Sequence, residues 1–310
     1  RSTTAPTTEH HPMISITGLT KRYDDRLAVD DLTFDVRPGR VTGFVGPNGA
    51  GKSTTMRMMV GLTRPDRGDA TYRGVSYSRM LHPARVVGTV LDARSMHPGR
   101  TARNHLAAAA ALADIPAGRV DEVLDEVGLH SAADQRTGGF SLGMRQRLAL
   151  AGALLGDPEV LLLDEPSNGL DPDGIRWLRH SLSRFADSGG TVFVSSHLIA
   201  ELAMFADDLV VVGAGKLLAA EPLATTLARG DSMVSVRTTQ AAELGRLLGR
   251  HGIDADAGDH LLSVRGTTTA EVSQLAFDNR IQITEITETR RSLEEILLDI
   301  TGASAEFAAA

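Results

Sequence analysis

The chain has 310 residues, 42% hydrophobic and 23% charged, which suits a large domain followed by a smaller one and excludes a chain disordered as a whole. With 32 basic residues against 39 acidic ones the net charge is -7, so no global field draws in nucleic acid or an anionic membrane, and 4% aromatic content argues against a single-strand stacking platform. The absence of cysteine removes disulfides, thiolate metal sites and cysteine nucleophiles, and fits a reducing compartment.

Residues 1–12 are polar, Thr-rich and without periodicity; they read as a disordered leader and lack the basic-then-apolar layout of a secretion signal. From Met13 onward short apolar runs alternate with amphipathic segments. A run at 41–45 leads into a helix from about Lys52, and a run at 86–91 precedes helices from about Thr101. A helix from about Gly143 is followed by runs at 160–163 and 191–194, then by a helix from about His197 and a run at 209–212. This alternation predicts an α/β domain with a mainly parallel, buried sheet.

The rhythm shifts near 229–231. Strand-like 233–237 leads to a helix with apolar Ala241, Leu244, Leu247 and Leu248, and strand-like 261–264 to a helix carrying Val272 and Leu275. Ile281 and Ile283 alternate with polar residues, and Ser292 and Glu295 stand at capping-box spacing ahead of a helix with Leu293, Ile296, Leu297 and Ile300 on one face. The expected organisation is a leader over 1–12, a main domain over 13–228 and a small α+β accessory domain over 229–310, of ferredoxin-like type. No stretch reaches the roughly 18–20 consecutive apolar residues of a membrane-spanning helix, so a cytoplasmic location is expected.

The sharpest motif is Gly46-Pro-Asn-Gly-Ala-Gly-Lys-Ser53, a GxxxxGK[ST] pattern set between the 41–45 run and a helical segment. Gly46, Gly49 and Gly51 allow backbone N–H groups to converge on a phosphate chain, and the helix N-terminus adds positive potential. Lys52 would place its ammonium between the terminal phosphates, and the Ser53 hydroxyl would complete a Mg²⁺ shell of phosphate oxygens and water. Further on, the run 160–163 ends abruptly in Asp164 and Glu165. Asp164 at a strand tip suits a Mg²⁺ held through water, and Glu165 can point at the γ-phosphate and polarise an attacking water.

With these two motifs, residues 13–225 resemble the ATP-binding subunits of ABC transporters, whose P-loop NTPase fold carries a helical subdomain, here at about 93–156. Phe140-Ser-Leu-Gly-Met-Arg-Gln-Arg147 stands where that family has its LSGGQ signature and looks like the Ser-Leu-Gly-Met variant of a bacterial exporter branch. The resemblance implies that ATP is bound by Pro47, Asn48, Ala50 and Thr54 together with the glycines, Lys52 and Ser53. It implies that Ser141, Gly143 and the D-loop residue Asp171 reach ATP on the opposite subunit of a homodimer. His197 resembles the switch histidine that contacts the γ-phosphate, and Tyr23 the aromatic that stacks on adenine.

One position departs from the commonest family pattern: the strand 87–92 ends in Asp92 where a glutamine usually ligates Mg²⁺ and reports nucleotide state to the membrane subunit. An acidic residue there resembles the antibiotic-exporter and lantibiotic-immunity-like branch. The basic segment 93–104, including Arg94 and Arg100, reads either as a solvated loop and helix start or as the docking place for a membrane-subunit helix. The C-terminal unit has no catalytic constellation, and regulation, dimer support or simple packing remain open for it.

The resemblance thus implies an ATPase, with ATP and Mg²⁺, driving drug-like, lipid or peptide efflux through separate transmembrane permease subunits at the inner face of the membrane, with no nucleic acid partner. The alternative is a soluble ABC-type ATPase that remodels nucleic acid or ribosomes; such families usually carry two cassettes or a long coiled coil ahead of the acidic strand tip, and neither occurs here. A P-loop small-molecule kinase would share Lys52 but has no use for the signature segment, the D-loop or the switch histidine.

Overall fold

The computed structural model describes residues 12–92, 95–197, 199–228, 232–258, 261–290 and 292–302. In chain order it opens with strands β1 (Ile14–Tyr23), β2 (Arg26–Val36) and β3 (Val41–Val45), helix α1 (Lys52–Met59), strands β4 (Arg67–Tyr72), β5 (Val75–Ser76) and β6 (Val87–Val90). Helices α2 (Ala102–Leu112), α3 (Arg119–Glu126) and α4 (Leu142–Leu154) follow, then β7 (Val160–Leu163), α5 (Pro172–Asp187), β8 (Thr191–Ser196), α6 (Ile199–Leu202), β9 (Asp208–Gly213) and β10 (Lys216–Pro222).

These elements form two sheets. The larger has the order β10-β9-β3-β8-β7-β6, parallel except for the edge strand β10. Its central strands β3, β7 and β8 are buried at every position, which is why they read as continuous apolar runs instead of alternating ones. The smaller sheet, β2-β1-β4-β5, is antiparallel. A three-ring cluster joins the two: Phe34 of β2 meets Phe44 of β3 and Phe193 of β8, with ring centroids 5.1–6.0 Å apart.

The helices α2, α3 and α4 pack together through Leu106, Val123, Leu124 and Leu148, all fully buried. Thr101 caps α2 by accepting the Asn104 N–H at 3.2 Å. Gly88 of β6 admits α4 at close range, since a Cβ there would stand 2.1 Å from the carbonyl oxygen of Ala153. The helix read from about His197 shortens to the single turn of α6, because β8 runs on through Ser195 and Ser196.

The second unit spans Ala224–Asp299, so the division falls earlier than the 228/229 break suggested by composition, within α7 (Leu223–Ala228). After α7 come β11 (Ser232–Arg237), α8 (Ala241–Arg250), β12 (Ala255–Ala257), β13 (Leu261–Arg265), α9 (Thr269–Asp278), β14 (Glu285–Arg290) and α10 (Leu293–Thr301). The four strands make an antiparallel sheet of order β12-β13-β11-β14, the split βαβ arrangement. Val234, Val236, Leu262 and Val264 bury one face of it with Leu244, Leu248 and Val272 of the helices. Ile281 and Ile283 lie ahead of β14: Ile281 joins the core while Arg280, at φ 55°, turns the chain. The reciprocal bonds expected at Ser292 and Glu295 are present, at 2.9 and 3.2 Å.

The aromatic cluster sets a stability test. Phe193→Ala should lower stability by about 3–5 kcal/mol through lost burial and the cavity left behind. Urea unfolding followed by fluorescence of Trp177, the single tryptophan, reads the first unit. Leu81→Ala, at an 87% exposed position of the same unit, should shift the curve by less than about 0.5 kcal/mol.

Candidate functional site

The loop between β3 and α1 lies at the C-terminal edge of the parallel sheet, the side on which open α/β sheets bind ligands. Side chains are missing from it where they would collide. A Cβ on Gly46 would lie 2.2 Å from the carbonyl oxygen of Val212, and one on Gly51, at φ 99°, 2.5 Å from that of Ala28. Lys52 opens α1 and is only 6% exposed. Its Nζ donates to the carbonyls of Gly46 at 2.7 Å and Pro47 at 3.3 Å, and stands 3.8 Å from Glu165 Oε1. Burial pushes the ammonium below the ordinary lysine value, and the negative charges of Glu165 and Asp164 oppose that shift.

Strand β8 pairs with β3 on one side and β7 on the other, so the acidic tip of β7 stands one strand away from the phosphate loop. The Asp164 N–H donates to the Val90 carbonyl at 2.8 Å. Ser195 Oγ donates to Asp164 Oδ1 at 2.6 Å and accepts the Glu165 N–H at 2.9 Å. Glu165 is held at φ 49°, a left-handed conformation that costs a non-glycine residue about 1–3 kcal/mol. Its Oε2 lies 2.5 Å from His197 Nδ1 and accepts the His197 backbone N–H at 3.3 Å. An ionised carboxylate only accepts, so this pairing puts the imidazole hydrogen on Nδ1 and leaves Nε2 as the acceptor of the neutral ring.

These groups border a cleft of about 720 Å³ lined by Tyr23, Arg26, Ala28, residues 48–54, Glu165, Asn168 and His197. Of the residues singled out from the sequence, it thus gathers Tyr23, Asn48, Gly49, Ala50, Gly51, Lys52, Ser53, Thr54, Glu165 and His197 in one place. Gly46 and Pro47 serve as carbonyl partners of Lys52, and Asp164 sits beside Glu165, tied to Ser195. Tyr23 stands half exposed at the rim, its ring centroid 5.5 Å from Lys21 Nζ, which is itself held by Asp66 at 2.9 Å.

Other predicted residues lie elsewhere. Asp92 is exposed beyond β6, where it accepts from Ser95 Oγ at 3.2 Å, and does not line the cleft. Ser141 and Asp171 cap α4 and α5, accepting the Met144 N–H at 3.2 Å and the Gly174 N–H at 2.7 Å, and neither they nor Gly143 line the cleft. The two caps are neighbours: a Cβ on Gly169 would come within 2.4 Å of Leu142 Cδ2. In the basic segment Arg94 lies outside the described residues, Arg103 is paired with Asp121 and Asp134, and Arg100 is exposed.

Sequence reasoning missed Arg26, which lines the cleft and donates from Nη2 to the Gly49 carbonyl at 3.2 Å, and Ser195. Ser195 had a signal: a hydroxyl at the end of an apolar run, two residues before His197. Arg26 had none beyond its nearness to Tyr23.

Comparison with known proteins gives the family. A family model described as ABC transporter matches residues 29–168, and one described as a domain of unknown function matches 232–294. The chain is 33% identical over 297 residues to the uncharacterized ABC transporter ATP-binding protein YhcH of Bacillus subtilis (strain 168), covering 95% of this chain and 97% of that one. It is 33% identical over 300 residues to the bacitracin transport ATP-binding protein BcrA of Bacillus licheniformis, with 94% and 97% covered. A solved ATP-binding subunit of an ABC transporter superposes with a TM-score of 0.63 at 26% identity, covering 70% of this chain and 92% of its own. The chain belongs to the ATP-binding proteins of ABC transporters; it is an ATP-binding and ATP-hydrolysing subunit.

Gly51→Ala forces both an unfavourable φ and a backbone collision on the phosphate loop. It should weaken binding of a fluorescent ATP analogue by about tenfold or more, read by titration in the presence of EDTA.

Proposed function

We propose that the subunit works as a homodimer beneath separate transmembrane permease subunits, at the inner face of the membrane, and that its ATP cycle drives efflux of a drug-like, lipid or peptide cargo. The observation that carries this reading is the one-sided cleft: it is lined by the phosphate loop, Glu165 and His197, while Ser141, Gly143 and Asp171 lie away from it. A second copy facing it would supply the exposed start of α4, a helix N-terminus of the kind that favours phosphate, with its Ser141 cap, to the far side of the nucleotide. Each copy would then complete the other's site. Among the described residues no helix is long and apolar enough to cross a membrane; in this reading the membrane spans belong to the permease subunits.

In this reading ATP lies along residues 46–54 with its adenine against Tyr23, and the γ-phosphate takes Lys52 and His197 away from Glu165. Freed of those contacts, Glu165 accepts a proton from water as the water oxygen attacks the γ-phosphorus and the bond to the bridging oxygen breaks. His197 donates to a phosphate oxygen through Nε2 once the ring has changed tautomer or taken up a proton. Ser53 at the cleft and Asp164 beside Glu165 offer oxygen donors only, as a hard cation prefers, with phosphate oxygens and water to fill a magnesium shell, and Asp92, which lies outside the cleft, would add a further oxygen donor if it came to the site. Bound there, the ion would offset the charge of the phosphate chain.

Three tests follow from these assignments. Glu165→Gln should cut ATP hydrolysis by about 100-fold or more while still dimerising on ATP, read by phosphate release and size-exclusion chromatography. A variant that stays monomeric with ATP would overturn the dimer. Capture of the same variant from solubilised native membranes should bring down a stoichiometric membrane protein with several hydrophobic spans; recovery of soluble partners alone would favour remodelling over transport. If Asp92 serves the metal, Asp92→Asn and Asp92→Gln should each raise the Mg²⁺ concentration for half-maximal turnover, on the order of 10-fold. Unchanged Mg²⁺ dependence in both removes it from the site.

A further inference from the structure

We propose that Ser195 is a positioning residue for ATP hydrolysis, its hydroxyl fixing Asp164 and the backbone of Glu165 relative to each other. The inference rests on the roles given above to those two carboxylates. Ser195 is 0% exposed, on the strand that separates the phosphate-loop strand from the acidic one. Leu163 is level with Val194, so the next residue of β8 arrives beside the point where β7 turns.

The hydroxyl uses both of its capacities there. Its hydrogen goes to Asp164 Oδ1 at 2.6 Å, and a lone pair takes the Glu165 N–H at 2.9 Å. One oxygen atom therefore sets the distance between the carboxylate that would serve the metal and the peptide unit that aims the proposed base. Glu165 needs such a hold more than most residues, because its left-handed φ of 49° is a conformation a non-glycine chain leaves unless its surroundings dictate it. The His197 contacts restrain only the far end of its side chain. A buried hydroxyl in this sheet does not by itself imply such a role: Thr42 Oγ1 on the adjacent β3 is also buried and has no hydrogen-bond partner.

Threonine and valine have the same shape and differ in the hydroxyl, so Ser195→Thr and Ser195→Val separate bonding from packing. Steady-state ATP hydrolysis by the full chain should show kcat reduced about 10–100-fold in Ser195→Val, with Ser195→Thr close to the parent. KM, binding of a fluorescent ATP analogue in EDTA and the Trp177 unfolding curve should stay close to the parent in both. Thr42→Val should keep full turnover. Equal loss in the threonine and valine variants would assign the effect to packing and overturn the proposal, as would full turnover in Ser195→Val alongside an inactive Glu165→Gln. Full turnover in both Ser195→Val and Glu165→Gln would instead sink the assignment of Glu165. Should Ser195→Val fail to fold, Ser195→Ala takes its place in the same comparison.

Discussion

A lysine ammonium with little access to water governs the site. Lys52 is buried at the head of α1, and a buried charge is tolerated only where dipoles or opposite charges replace its hydration. Here the replacement is two loop carbonyls and, at longer range, the carboxylate of Glu165. Carbonyls can turn back toward the lysine because the loop winds tightly, and it winds tightly because glycines occupy the places where Val212 and Ala28 press against it. The glycine spacing, the helix start and the acidic strand tip thus answer one requirement: to hold a cation where a phosphate chain can reach it.

The same arrangement explains why Glu165 is restrained. Its two oxygens are engaged by Lys52 and His197, both groups that a γ-phosphate would claim. A trianionic phosphate chain competes better for two cationic or donor groups than one carboxylate does, so substrate binding itself would release the base. The conformational strain at Glu165 belongs to this scheme, since a base on relaxed backbone would have other directions to point.

Much of this was legible in the sequence because the chemistry is local. The phosphate loop is contiguous, Asp164 and Glu165 adjoin, and each sits at the end of an apolar run that can only be a buried strand. The hydrophobic rhythm of the parallel sheet gave its strands away for the same reason. What stayed hidden depends on strand order, which periodicity does not encode. That β8 lies between β3 and β7 is what brings Ser195 to Asp164, and nothing in the run 191–196 names its neighbours. Arg26 reaches the loop only because β2 and β1 form a hairpin across its mouth. Asp92 is a different case: its place in the family pattern suggested a ligand, and its exposed position beside Ser95, outside the cleft, neither supplies nor removes that role.

The link between the signature segment and the loop after Glu165 was equally invisible, and it bears on how two sites in a dimer would communicate. Pro166, Ser167 and Asn168 lead directly from the proposed base to Gly169, whose lack of a side chain lets Leu142 pack against the backbone. Gly169 itself turns at φ 71°, so the loop is shaped both by conformational need and by the leucine above it. Leu142 is the first residue of α4, immediately after Ser141. In the proposed dimer, then, the segment that carries one chain's base rests against the helix end that faces the other chain's phosphate. A shift of Glu165 on hydrolysis would be carried along this short loop to the Gly169–Leu142 approach at the helix end, where the two segments come close enough for displacement of one to bear on the other.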